Sequence, residues 1–321
     1  MSSALASRPA RRVAAAAGAL VLGTALTACG SSSESASSSG APASSTATRT
    51  VASAFGQVSV PAQPQRVVAL GESALDAALA LGVRPVGALA ARGGTGVPAY
   101  LTELAGPVPI VGTVRETNLE EVVKARPDLI LTSAGTTRQQ YDALAALAPT
   151  VVPVSTGTGE WQAETRAHAE ALGRTAQADA VLRELDGRAA ALAAQPGLGT
   201  ATVVRWMPNG PLVMSGSLMA GRLVAASGEK LTAVSAFSDK PHTDPLSLEA
   251  LGQIDADRLY LATLNADGAK ALEEAKASPA FARLTAVQRN RVVTVDGGFW
   301  SSSSGPVAAD RVLDDIERSR T

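Results

Sequence analysis

From residue 66 onward, short apolar runs alternate with amphipathic stretches. Arg66-Val67-Val68-Ala69-Leu70 is an apolar run of strand length, and the segment from Ser73 to Leu81 has helical character, with Ser73 as its cap and Gly82 as its stop. Val86 to Leu89 and Ile110 to Gly112 predict two more short strands, separated by the glycine-rich loop Gly93-Gly94-Thr95-Gly96. Asn118 caps a helix that leads into a strand from Asp128 to Thr132. A helix from Thr137 to Leu147 and a strand from Val151 to Val154 complete a first lobe. Strands alternating with helices imply a largely parallel sheet.

Residues 160–195 then read as helix, interrupted only at Leu172-Gly173, with Thr175 as a cap for the second piece. That piece, about 20 residues, would be roughly 30 Å long at 1.5 Å per residue. Its Val181, Leu182, Leu185 and Leu192 share one face, and Pro196-Gly197 ends it. A second lobe follows: a strand from Ala201 to Trp206, a hairpin through Asn209-Gly210 into Leu212-Val213-Met214, helices at Ser217 to Ala226 and Lys270 to Lys276, a strand from Val292 to Val295, and a last helix from Pro306 to about Arg318.

One unit occurs twice. Asn118-Leu119-Glu120 opens a run ending Arg126-Pro127-Asp128-Leu129-Ile130-Leu131, and Ser247-Leu248-Glu249 opens another ending Asp255-Ala256-Asp257-Arg258-Leu259-Tyr260-Leu261. A single recurrence at this spacing means two similar lobes rather than a solenoid. The pattern predicts an α/β protein of two Rossmann-like lobes with mostly parallel sheets, joined by one long helix, with a ligand cleft between them. A single helix makes a stiff connection, so closure should be small.

Composition sharpens this in two places. With 46% hydrophobic and 18% charged residues the chain is globular, and the balance of 28 basic against 29 acidic residues excludes the basic stripe of a nucleic-acid binder. The N-terminal stretch stands apart. Arg8, Arg11 and Arg12 precede an apolar run from Val13 to Leu26, too short to span a bilayer securely, which ends Leu26-Thr27-Ala28-Cys29. Small residues before a cysteine resemble a bacterial lipobox, in which the thiol of Cys29 is lipidated. The plainer alternative is a secretory signal with an incidental cysteine. Loss of residues 1–28 would remove three arginines and no acid, moving the net charge from −1 to −4. The expected divisions are a signal peptide (1–28), a lipid-anchored Ser/Ala-rich linker (29–54), an N-terminal lobe (55–159), a helical region (160–196) and a C-terminal lobe (197–321).

Taken in order, a set of weak motifs resembles one known family. Gly56-Gln57-Val58 leads to Pro64-Gln65-Arg66-Val67-Val68. Then come Leu75-Asp76-Ala77-Ala78-Leu79-Ala80-Leu81-Gly82-Val83, Asn118-Leu119-Glu120, Pro127-Asp128-Leu129-Ile130, Ala148-Pro149-Thr150-Val151, Ser247-Leu248-Glu249 and Gly305-Pro306-Val307-Ala308-Ala309. The chain resembles the substrate-binding lipoproteins of bacterial ABC importers of the helical-backbone class (class III), in particular the iron–siderophore branch. The resemblance implies a membrane-anchored, extracytoplasmic protein that performs no catalysis, acts as a monomer and needs no cofactor. It captures a ferric siderophore and delivers it to a permease dimer with its ATPase. It also implies one acid on each lobe for arginines of the permease, assigned to Asp76 and Glu249. The plainer reading of Glu249 is an acid favouring a helix N-terminus, and Glu120 holds the equivalent place in the first repeat.

Loops at the carboxyl ends of the strands should line the cleft. Arg92, Arg115 and Arg205 are candidates for the anionic oxygens of a chelate. Trp206 and Trp300 are candidates for its apolar face, and Trp161, Met219 and Phe299 are further candidate ligand contacts on the cleft-lining segments, against the alternative that the arginines are solvated surface residues. A bare-metal site is disfavoured by a chain with only His168 and His242 as imidazoles, whereas a pre-chelated iron brings its own ligands. Cobalamin and haem stay open as ligands. A secreted hydrolase is a remote alternative: Gly71-Glu72-Ser73-Ala74-Leu75 sits where a nucleophile elbow would, but Leu75 replaces the second glycine. The Gly93-Gly94-Thr95-Gly96 loop lacks the Lys-Ser/Thr of a phosphate loop.

Overall fold

The computed structural model describes residues 47–154, 159–196 and 199–320. Cys29 and the signal segment lie outside the described residues. Two sheets organise the chain, one per lobe. The first contains β3 (Val67–Leu70), β4 (Gly87–Ala90), β5 (Ile110–Thr113), β6 (Leu129–Thr132) and β7 (Thr150–Val151), all parallel in the order β5-β4-β3-β6-β7. The second contains β8 (Thr200–Met207), β9 (Gly210–Val213), β10 (Lys230–Leu231), β11 (Arg258–Thr263) and β12 (Val292–Asp296), with parallel order β10-β8-β11-β12 and β9 antiparallel on β8.

Both faces of each sheet are covered, so the strands are apolar throughout and their alternation sorts side chains into separate cores. In β3, Val67 and Ala69 join the core under the first helix (Glu72–Ala80), while Val68 and Leu70 join the core on the opposite face. In β8, Ala201 and Val203 face the helices Thr175–Ala193 and Pro306–Arg318, while Val204 and Trp206 face the outer layer with Phe281.

Local details depart from the sequence reading. Residues 48–53 are not tether: β1 (Thr48–Ser53) pairs in register with β2 (Gly56–Pro61), and the Arg49 guanidinium donates to the carbonyls of Ala62, Glu170 and Ala171. Those bonds tie the hairpin to the end of the helix Trp161–Leu172. Ser73 does not cap the first helix, which starts at Glu72 after Gly71 without a side-chain cap. Nor does Thr175 cap the interlobe helix Thr175–Ala193; the chain turns at Gly173 (φ 69°), and Arg174 occupies the capping position. The two repeats differ in form. Asn118 accepts from the N–H groups of Glu120 and Glu121 and caps an α-helix, Leu119–Ala125. The second copy, Leu248–Ile254, is a 3-10 helix without a Ser247 side-chain bond, and Gly252 lies within it.

Candidate functional site

Three hollows of about 270, 200 and 240 Å³ share Arg92 and Ser302 in their walls and together form the cleft between the lobes. The first lobe contributes the start of its first helix and the loop after β4. The second contributes the end of β8 and a π-helical turn, Gly298–Ser302, which leads through Ser303 and Ser304 to Gly305 and the C-terminal helix. Such a widened turn commonly marks a functional position.

The charged groups converge from both lobes. Arg205, on β8, donates from Nε to Ser301 Oγ at 2.9 Å. Burial lowers its pKa to about 10, the like charge of Arg92 adds to this, and Glu72 opposes it. The Glu72 carboxylate accepts the Arg92 backbone N–H at 2.8 Å. Burial raises its pKa, and the Arg92 N–H together with the charges of Arg92 and Arg205 pulls it back. Ser302 Oγ lies beside this carboxylate, shut off from solvent and without a hydrogen bond of good geometry. Glu164, on the helix Trp161–Leu172 that packs against the first helix, is likewise raised by burial and is met by the Ser73 hydroxyl. The result is a polar cleft with two arginines, one per lobe, partly offset by two carboxylates that burial makes easier to protonate.

Of the residues expected in the cleft, Arg92, Trp161, Arg205, Met219 and Trp300 line it. Trp161 and Trp300 are only 5% and 2% exposed; Trp300 is stacked on Tyr260 at 4.7 Å and donates from Nε1 to Asp315. Trp206 does not belong here. Successive residues on a strand point to opposite faces, so Arg205 in the cleft sends Trp206 to the other side, where it packs edge-on against Phe281. Phe299 is buried against Tyr100 rather than lining a hollow, and Arg115 is exposed on the loop after β5, outside the hollow walls. Sequence reasoning missed Glu72, Glu164 and His242 as lining residues, and the run Ser301-Ser302-Ser303-Ser304. The serine run was a visible signal, an unbroken string of small hydroxyls just after a strand and a Trp.

Asp76 is not a surface acid. It is fully buried, and its carboxylate accepts the N–H groups of Val307 (2.8 Å) and Ala308 (2.9 Å) and the Tyr100 hydroxyl (2.9 Å). It therefore caps the C-terminal helix from the first lobe, and Tyr100 carries the link on to Ser303 Oγ at 2.7 Å. A Cβ on Gly305 would collide with Asp76 Oδ1, so the close approach needs glycine there. Burial raises the Asp76 pKa to about 7 against the pull of these three donors. With no oxygen open to solvent, Asp76 has nothing to offer a permease arginine. Glu249 is exposed, and so is Glu120, its counterpart in the first repeat; neither carboxylate has a hydrogen-bond or ion-pair partner among the described residues.

Among the described residues no group of three or more His, Cys, Asp or Glu side chains is placed to hold a metal. His168 is fully buried, with Nε2 2.9 Å from the Thr132 carbonyl, and burial lowers its pKa to about 4. No helix of the described residues is long and apolar enough to cross a membrane.

Two α/β lobes joined by a helix around a polar cleft define a periplasmic-type binding protein, and residues 67–297 match the periplasmic binding protein family. The chain belongs to that family. It is 32% identical over 305 residues, covering 91% of this chain and 93% of the relative, to a probable siderophore-binding lipoprotein, YfiY, of Bacillus subtilis. It is 25% identical, over 83% of this chain and 88% of the relative, to the Fe(3+) dicitrate-binding periplasmic protein FecB of Escherichia coli. Among solved structures, SirA of Staphylococcus aureus complexed with staphyloferrin B superposes with a TM-score of 0.73 at 26% identity, over 85% of this chain and 98% of SirA.

Proposed function

We propose that this protein captures a ferric siderophore in the interlobe cleft and hands it to an ABC permease for iron uptake. The observation that carries the reading is the convergence of Arg92 from one lobe and Arg205 from the other on a cleft that also presents the serine run Ser301 to Ser304 and the apolar side chains of Trp161, Met219 and Trp300. Paired guanidinium groups recognise carboxylate-type oxygens through forked hydrogen bonds, and here they reach a ligand that needs no metal ligand from the protein. The names of the relatives, a siderophore-binding lipoprotein and a ferric dicitrate-binding protein, support the same reading. Binding should be tested with radioiron-labelled ferric citrate in equilibrium dialysis. Arg92→Ala and Arg205→Ala should each weaken binding by about tenfold or more, as expected for losing a charge-assisted contact. Unchanged affinity in both would remove the arginines from the site.

Delivery requires a surface that a two-fold permease can read. The repeat and the exposure of its acids support Glu120 and Glu249 as the docking pair, with Glu120 in the place first given to Asp76. Lipidation at Cys29 would hold the protein at the extracytoplasmic face of the cell membrane, and two acyl chains make a stable anchor. Metabolic labelling with a radioactive fatty acid, present in the wild type and absent in Cys29→Ala, tests the anchor.

A further inference from the structure

The repeat exposes a second feature beside each acid. In both copies the residue before the glutamate is a leucine, and both lie largely in solvent, Leu119 at 40% and Leu248 at 47% exposure. Only six large hydrophobic side chains are this exposed among the described residues, and the two repeat leucines are among them. A third, Val123 at 52%, stands one helical turn after Leu119 and so shares its face. One exposed leucine needs no explanation, but the same exposed Leu-Glu pair on both lobes does.

Local bonds place the two pairs at equivalent edges. Asn118 N–H donates to the Val111 carbonyl at 2.9 Å, and Gly112 bridges to Thr117, so Leu119 starts at the carboxyl end of β5. Leu246 N–H donates to the Pro211 carbonyl at 2.9 Å, where β9 meets the end of β8 through Met207 and Gly210. Each pair thus sits at the carboxyl edge of its sheet, the edge on which the cleft opens. A shallow hollow of about 580 Å³, walled in part by Glu116, Leu119 and Glu120, adjoins the first pair.

A solvent-exposed ion pair alone contributes little, and strong interface charges are those ringed by groups that exclude water. We infer that each lobe docks through a combined apolar and acidic contact, Leu119 with Val123 on one lobe and Leu248 on the other. Each contact fills an apolar socket beside a cationic group on a two-fold-related membrane permease. This rests on the docking reading of Glu120 and Glu249. The partner it fits presents the same socket twice: an apolar depression flanked by arginine or lysine.

The test uses the full-length protein in its host, with a photoreactive residue placed by Leu119→p-benzoylphenylalanine or Leu248→p-benzoylphenylalanine. Leu104, 42% exposed, and Leu147, 37% exposed, serve as controls outside the repeat. Irradiated cells should yield a cross-link to a permease subunit, identified by mass spectrometry, from positions 119 and 248 at about fivefold or more above positions 104 and 147. Equal yields at all four positions, or no permease cross-link from 119 and 248, would overturn the inference. Iron-limited growth of Glu120→Gln with Glu249→Gln separates the two readings. Growth lost without cross-links at the leucines leaves the acids standing and sinks the apolar contact. Normal growth with cross-links retained sinks the acids and with them the combined contact, leaving the leucines as an apolar contact only.

Discussion

Asp76 holds two helix N–H groups and a buried hydroxyl, and removing its carboxylate strands all three. Asp76→Ala should therefore cost about 3 kcal/mol, read as a lower urea midpoint, while Glu249→Ala, exposed and unpartnered, should leave the midpoint unchanged. Trp206→Ala should likewise cost about 3–5 kcal/mol through the cavity it leaves, with ligand affinity retained. Both residues were legible in the sequence as notable, but not as buried. A carboxylate in an Ala-Leu-rich helix says nothing of which distant helix end it meets. The strand period, applied to Arg205 and Trp206 together, would have separated them without coordinates. Two further residues carry pH dependence. His168 titrates near 4 in the folded chain against 6.5 ordinarily. The unfolded chain therefore binds the extra proton first, and the His168 contribution to stability should be complete above about pH 6.5 and fall as pH drops toward 4, opposite in sign to that of buried Asp76, whose raised pKa favours folding at lower pH. A variant His168→Gln that folds should lose that acid limb in denaturant titrations. Glu72 faces Arg92, Arg205, Tyr100 and Ser302, and its pKa is raised. Protonating it removes one negative charge from the cleft, so Glu72→Gln should bind an anionic ferric chelate more tightly than wild type wherever Glu72 is ionised. The difference should vanish as pH falls through the Glu72 titration; a constant ratio across pH would show that Glu72 does not act on the ligand's charge.

The interlobe helix Thr175–Ala193 was readable from its apolar face and its Pro196-Gly197 end, and the strands from their apolar runs. What was not readable was the second fastening. The C-terminal helix returns to the first lobe, where Asp76 caps it, and Arg188 of the interlobe helix pairs with Asp310 and Asp314 on that same helix. Such pairings join residues more than a hundred positions apart, and local periodicity carries no information about them. Two lobes fastened in this way should close by only a few degrees. Small-angle scattering with and without ferric siderophore should show a nearly constant radius of gyration, and a large compaction on binding would refute the stiff connection. The two repeat elements, alike in sequence, take α and 3-10 forms, with Asn118 capping one and no side chain capping the other. The exposed Leu-Glu pair is kept in both, which separates a surface requirement from a folding one.

At the scale of the molecule, two largely parallel sheets bring the carboxyl ends of their strands to one cleft, where Arg92 and Arg205, distant in sequence, share one hollow. The family's fold was visible in the motif series from Gly56 to Ala309. The lining was visible only where a residue stood at a predicted strand end; Glu72, Glu164 and the serine run entered through helix starts and a π-helical turn that composition does not announce. Trp161 and Trp300 both touch the cleft, so intrinsic fluorescence reports directly on its occupancy. The most direct test is a fluorescence titration of the wild-type protein with ferric citrate, ferric hydroxamate and ferric catecholate siderophores, cobalamin and haem. Saturable quenching by a ferric siderophore, weakened in Arg205→Ala, is the predicted result; saturable quenching by cobalamin or haem alone would contradict it.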